Sequence, residues 1–227
     1  MNGISWGEVQ PINLLNDTAI IVGSGPSLTG FDFNKLKGLG TIITVNDSVK
    51  GVPFADLWFT LDPWGLHGPQ LPPSTFKGKM YAAVPEDFGT TMAHTVQHRT
   101  TPNKNITFLH RLRSHNKVGV SSETAYKLRL SEDKSCINTG NSGYGALGLA
   151  YHLRPKKVLL LGIDGNIGYF YTKTKQNRAL TYLPKMFESA VPQLKAADIE
   201  VINGSVNSAV KCFPRLTVSE ALKEISV

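Results

Sequence analysis

Seven short apolar runs, each bounded by Gly, Pro, Asn or Asp, set the limits on what this chain can fold into. They occupy residues 18–23, 41–46, 56–61, 79–84, 105–110, 157–163 and 199–203. Several are nearly continuous apolar runs instead of alternating ones, as at 158–161. Runs of that kind suit strands covered on both faces, as in a parallel sheet between helices. Helical patterns fall between some of them. Residues 142–153 are rich in Gly and Ala and are stopped by Pro155, and residues 182–197 are interrupted by Pro184 and Pro192. Near the end, Thr217 and Glu220 have capping-box spacing before 221–225. Strand and helix signals that alternate in this way predict an α/β fold. The expected form is a single Rossmann-like, doubly wound, mostly parallel sheet with helices on both faces. No linker divides the 227 residues, so they read as one nucleotide-binding α/β domain with a lid embedded at about 165–182.

Composition removes other classes. Hydrophobic residues make up 41% and charged residues 18%, which excludes a disordered chain. The two cysteines, Cys136 and Cys212, fit neither a disulfide scaffold nor a metal-ligand spacing. No apolar run is long enough to span a bilayer, and residues 1–10 lack the pattern of a leader. A soluble, cytoplasmic protein is expected. The formal charge is +7, and seven Lys and Arg against one acid lie between 94 and 129. That segment is either a solvated face or a docking surface for a phosphorylated or nucleic-acid partner. Homo-oligomerisation is left open.

In open α/β sheets, ligands bind outside the carboxyl ends of the strands, so the residues that follow each strand are the candidates. The first run leads into Gly23, Ser24, Gly25, Pro26, Ser27 and Leu28. Its glycines permit a tight turn that brings backbone N–H groups to an anion, and its serines add hydroxyl donors. It is neither the dinucleotide fingerprint nor a Walker loop. The second run ends at Asn46 and Asp47, and the third at Asp62. Before 142–153 stands Asn138-Thr139-Gly140-Asn141-Ser142-Gly143. Ser142 is read as the helix cap, leaving the N–H groups of the first turn to an anionic ligand. The strand at 158–161 runs into Gly162-Ile163-Asp164-Gly165, where a carboxylate would hold ribose hydroxyls, bind a metal or act as a base. Tyr169, Phe170 and Tyr171, then Lys173, Lys175 and Arg178, form a stretch suited to close over a ligand. Each of these also has a plain reading, as turn, cap or surface loop.

The order of the GSGPSL turn, Asn46, the NSG helix start and KKVLLLGID resembles the small bacterial lipooligosaccharide sialyltransferases. The related family that contains hydroxymethylpterin pyrophosphokinases has a similar core. Residues 207–209, 213–215 and 218–220 resemble the C-terminal pattern of that wider group. The resemblance implies a metal-independent glycosyltransferase with no tightly bound cofactor. Its co-substrate would be a nucleotide-sugar, CMP-linked in the first instance, and its acceptor a glycan or a modified nucleobase in DNA. Gly23, Ser24, Gly25, Pro26 and Ser27 would contact the phosphate and ribose side of the nucleotide. Asn46 and Asp62 would lie near the nucleotide and the transferred sugar, Ser142 and Gly143 near the sugar or its carboxylate, and Asp164 at the ribose. Tyr169 and Tyr171 match by position the pair that stabilises the leaving phosphate. No histidine follows His152 where the family has one in its lid, so the base is left to Asp62, His67 or a histidine of the basic segment. Two other readings stand beside this one: Mg²⁺-dependent pyrophosphoryl transfer through Asp47, Asp62 and Asp164, and a non-catalytic nucleotide-binding module.

Overall fold

The computed structural model describes residues 6–63, 72–85, 105–112, 129–165 and 180–226. Eight strands form one sheet: β1 (Thr18–Val22), β2 (Thr41–Val45), β3 (Leu57–Thr60), β4 (Lys79–Val84), β5 (Ile106–Leu112), β6 (Cys136–Asn138), β7 (Lys157–Leu161) and β8 (Glu200–Asn203). Their spatial order is β6-β5-β4-β3-β2-β1-β7-β8, and every neighbouring pair is parallel. All seven expected runs are strands. The three-residue β6 is too short to give a sequence signal and was not expected.

Side-chain alternation sorts the strands onto two cores. Ala19, Ile21, Ile43, Val45, Leu57, Phe59, Val158 and Leu160 face one of them. Ile20, Val22, Ile42, Trp58, Leu159 and Leu161 face the other. Both faces are dry, so both sets are apolar, which is why the runs read as continuous.

The first core is covered by α1 (Ser142–Leu153) and α2 (Leu183–Ala196), the second by α3 (Val218–Ile225) and short 3₁₀ turns. Helix α1 is buried from Gly143 to His152, because it lies between the sheet and α2. At Gly145 a Cβ would lie 2.6 Å from Phe59 Cε1, so glycine lets α1 rest directly on β3. On its other side Tyr144 meets Phe187 of α2 edge to face at 5.4 Å. Helix α2 takes Pro184 in its first turn and runs through Pro192. Pro192 is exposed, a place where a missing backbone donor costs least. The capping box is present: Thr217 Oγ accepts from Glu220 N–H, and the Glu220 carboxylate accepts from Thr217 N–H at 2.9 Å. Among the described residues no helix is long and apolar enough to cross a membrane.

The chain steps outward from β1 to β6, then returns over the sheet through α1 to place β7 on the other side of β1. The strand order therefore reverses at β1 and β7, and a crevice opens there at the carboxyl edge.

One titratable group is built into this packing. His152, at the end of α1, donates from Nε2 to the Cys136 carbonyl at 3.0 Å. Burial holds its imidazole below the ordinary value of 6.5. The unfolded chain then binds the proton more readily than the folded one. The contribution is complete above the ordinary value and is lost as pH falls through the lowered one. Urea unfolding from about pH 7 to about pH 5 is expected to lose more stability in the wild type than in His152→Gln. Parallel losses would place the acid sensitivity elsewhere.

Candidate functional site

A cavity of about 210 Å³ opens at the crevice between β1 and β7. Its walls come from the turn after β1 (Gly23, Ser24, Gly25), the end of β2 (Val45, Asn46), the start of α1 (Asn141, Ser142, Gly143) and the loop after β7 (Gly162 to Gly165). Leu180 and Leu183 complete it. Segments more than a hundred residues apart in sequence meet here because all the strands point the same way.

The turn after β1 is held to the loop after β7 by main chain and side chain. Gly23 N–H donates to the Leu161 carbonyl at 2.7 Å, and Gly25 N–H to the Gly162 carbonyl at 2.8 Å. Asp164 is buried, and both its carboxylate oxygens are engaged by Ser27. Oδ2 accepts from Ser27 N–H at 2.8 Å, and Oδ1 from Ser27 Oγ at 2.8 Å. A Cβ on Gly25 would fall on that carboxylate and 2.7 Å from the Gly162 carbonyl oxygen, so only glycine allows the approach. Behind it, Ser208 Oγ donates to the Ile163 carbonyl at 2.9 Å and Ala209 N–H to the Asp164 carbonyl at 2.7 Å.

At the end of β2, Ser48 is fully buried. Its Oγ donates to the Val22 carbonyl at 2.6 Å and accepts from Val45 N–H at 2.9 Å, which ties this turn to β1. Asn46 is in the left-handed region at φ 54°. Its carbonyl accepts from Trp58 Nε1 at 3.0 Å, and its Oδ1 from Thr60 Oγ at 2.7 Å.

The start of α1 corrects one expectation. The cap is Asn141, not Ser142: its backbone is extended, and its Oδ1 accepts from Gly143 N–H at 2.8 Å and Tyr144 N–H at 3.2 Å. Two first-turn N–H groups expected to be open to a ligand are therefore used by the protein. Ser142 instead stands at the first helical position and lines the cavity. Asn is as good a cap as Ser, so the signal was present one residue earlier in the NSG motif.

These bonds share a sense. The amide and carboxylate oxygens of the lining, Asn46 Oδ1, Asn141 Oδ1 and both Asp164 oxygens, are all engaged by protein donors. Left over among the described residues are the amide Nδ2 of Asn46 and Asn141, which donate, and the Ser24 and Ser142 hydroxyls, which donate or accept. The positive end of the twelve-residue α1 adds to them. Such a lining suits a ligand rich in acceptors, such as a phosphate or carboxylate.

Of the sequence candidates, Gly23, Ser24, Gly25, Asn46, Ser142, Gly143 and Asp164 meet in this one cavity. Pro26 and Ser27 belong to the same turn but lie outside the lining, Ser27 as the partner of Asp164. Asp62 is exposed beyond β3, also outside the lining. Tyr169, Tyr171, His67 and most of the lid and of the basic segment lie outside the described residues. Asn141, Thr60 and the two leucines were not singled out in the sequence. The three strand-end aspartates do not converge: Asp47 pairs with Lys50 at 2.7 Å, Asp62 faces solvent and Asp164 binds Ser27. No group of three metal-ligating side chains occurs among the described residues.

No family model and no curated protein sequence matches the chain. Among solved structures, it is similar to the sialyltransferase CstII from Campylobacter jejuni in complex with the substrate analogue CMP-3FNeuAc. That match has 14% identity and a TM-score of 0.45, covering 88% of this chain and 86% of that one. It is also similar to the sialyltransferase CST-II in complex with a trisaccharide acceptor and CMP, at 14% identity, the same coverages and a TM-score of 0.38. At these values no residue role passes from those proteins to this chain.

The Ser27–Asp164 contact is expected to bear on stability. Hydrogen bonds to a charged group contribute about 1.5–3 kcal/mol, so Asp164→Asn should lose roughly that in urea unfolding at neutral pH. Ser27→Ala keeps the backbone bond and should lose about 1 kcal/mol. Equal losses would mean that the hydroxyl carries the whole contact.

Proposed function

We propose that this chain is a glycosyltransferase that moves a sugar from a nucleotide-sugar donor, CMP-linked in the first instance, to an acceptor hydroxyl. The observation that supports it is the donor-rich lining at the strand-order reversal. In this reading the ligand's acceptor-rich part, a phosphate with its adjoining sugar, would occupy that cavity. The rest of the nucleotide would extend past the mouth. In this reading Ser24, Asn46 and Ser142 donate to the phosphate or the sugar, and the α1 dipole favours the charge that grows on the phosphate. The turn at 23–27 is fixed in place by Asp164, so its donors need no reorganisation when the charge develops.

The acceptor oxygen gives its proton to a base and bonds to the anomeric carbon. The bond from that carbon to the phosphate oxygen breaks, and its electron pair leaves with the phosphate. Asp62, at the same sheet edge, and His110, in β5, are the candidate bases among the described residues. Tyr169 and Tyr171, by their place in the sequence, would donate to the departing phosphate. Pyrophosphoryl transfer would require carboxylates gathered around Mg²⁺, and the dispersed aspartates favour glycosyl transfer over it.

A thermal-shift panel of CMP-sialic acid, UDP-glucose, GDP-mannose, ADP-ribose and ATP, each with and without Mg²⁺, tests the reading. A true donor well above its dissociation constant should raise stability by about 2–4 kcal/mol, equally with a chelator present. Stabilisation by ATP with Mg²⁺ alone would overturn it in favour of the pyrophosphokinase. In the enzyme assay, Tyr169→Phe with Tyr171→Phe should depress turnover by on the order of 10²-fold, with donor affinity little changed. Lost affinity with unchanged turnover would remove the tyrosines from the chemistry.

A further inference from the structure

We propose that Thr60 is a positioning residue: it sets which way round the Asn46 amide faces, and so keeps the cavity selective for ligands that bring acceptors. The proposal rests on the nucleotide-sugar reading only for the identity of the ligand. Thr60 is the last residue of β3 and is completely buried. Its Oγ accepts from Asp62 N–H at 3.0 Å. The hydroxyl proton therefore needs an acceptor of its own, and Asn46 Oδ1 is there at 2.7 Å. If the amide turned over, Nδ2 would face Thr60 and a buried hydroxyl proton would be left without an acceptor.

The backbone of Asn46 cannot turn aside to relieve this. It is held at φ 54° with its carbonyl on the Trp58 indole N–H at 3.0 Å. A non-glycine residue in the left-handed region persists where its surroundings over-determine it, and here both oxygens of Asn46 are bonded from β3. The amide N–H groups are what remains for the cavity that Asn46 lines. With the opposite sense, a carbonyl oxygen would meet the ligand's anionic oxygens and repel them. Thr60 thus selects the ligand without being in the cavity lining itself.

The test is calorimetric titration of the full chain with CMP and with CMP-sialic acid. Thr60→Val, which keeps the shape and removes the hydroxyl, should weaken binding about tenfold, the equivalent of one lost hydrogen bond. Thr60→Ser should recover most of the affinity. In an Asn46→Ala background, Thr60→Val should add almost nothing, because the two side chains act as one unit. An equal loss in both backgrounds, or no loss in either, overturns the proposal.

A second measurement needs no ligand and no folded Thr60 variant. The Asn46 side-chain amide signals of the ¹⁵N-labelled wild type, identified by their loss in Asn46→Ala, should both exchange freely with water. One amide proton protected from exchange would mean that Nδ2 faces Thr60, and the proposal fails. Free exchange with no binding of either nucleotide would support the role of Thr60 and sink the nucleotide reading instead.

Discussion

The parallel pairing of β1 with β2 on one side and β7 on the other is the constraint on which the rest depends. A parallel neighbour cannot be reached by a tight turn, so each connection must cross a face of the sheet. Those crossings carry α1, α2 and 3₁₀ turns that, with the C-terminal α3, keep both faces dry. They also bring every strand out at the same edge. Where the order of strands reverses, the connections after β1 and β7 leave on opposite faces, and the space between them is not filled by a helix. The cavity is a consequence of connectivity before it is a matter of any side chain.

What gives that space a chemical character is a second layer of bonds behind it. Ser27 occupies the Asp164 carboxylate, Thr60 occupies Asn46 Oδ1, and the first turn of α1 occupies Asn141 Oδ1. The two asparagines thus have their side-chain acceptors turned into the protein and are left with donors for the cavity. Engaged by two donors from Ser27, the Asp164 carboxylate serves to fix the turn.

The loop after β7 also depends on the end of the chain. Ser208 and Ala209 hold the Ile163 and Asp164 carbonyls from behind. Further along, Asn203 N–H donates to the Pro214 carbonyl and Leu216 N–H to the Asn203 carbonyl, so 214–216 runs beside β8 and covers the edge of the sheet there. One C-terminal segment thus protects a strand edge and sets the geometry of the cavity wall.

The amino-acid sequence by itself determined the fold class. Period-two burial on two dry faces leaves continuous apolar runs, and the turn residues after them mark the strand ends, so seven of the eight strands and the carboxyl-edge candidates could be read directly. Local signals also sufficed for the Thr217–Glu220 cap, where the bonded partners are three residues apart. The tertiary structure alone decided what is made by contact across long separations. Ser27 and Asp164 lie 137 residues apart, and nothing local distinguishes a carboxylate that binds ribose from one that locks a turn. Thr60 reads in sequence as an ordinary strand residue. Its role comes from the partner that packing puts beside it, because a hydrogen bond's direction depends on every donor and acceptor within reach and not on the order of residues along the chain.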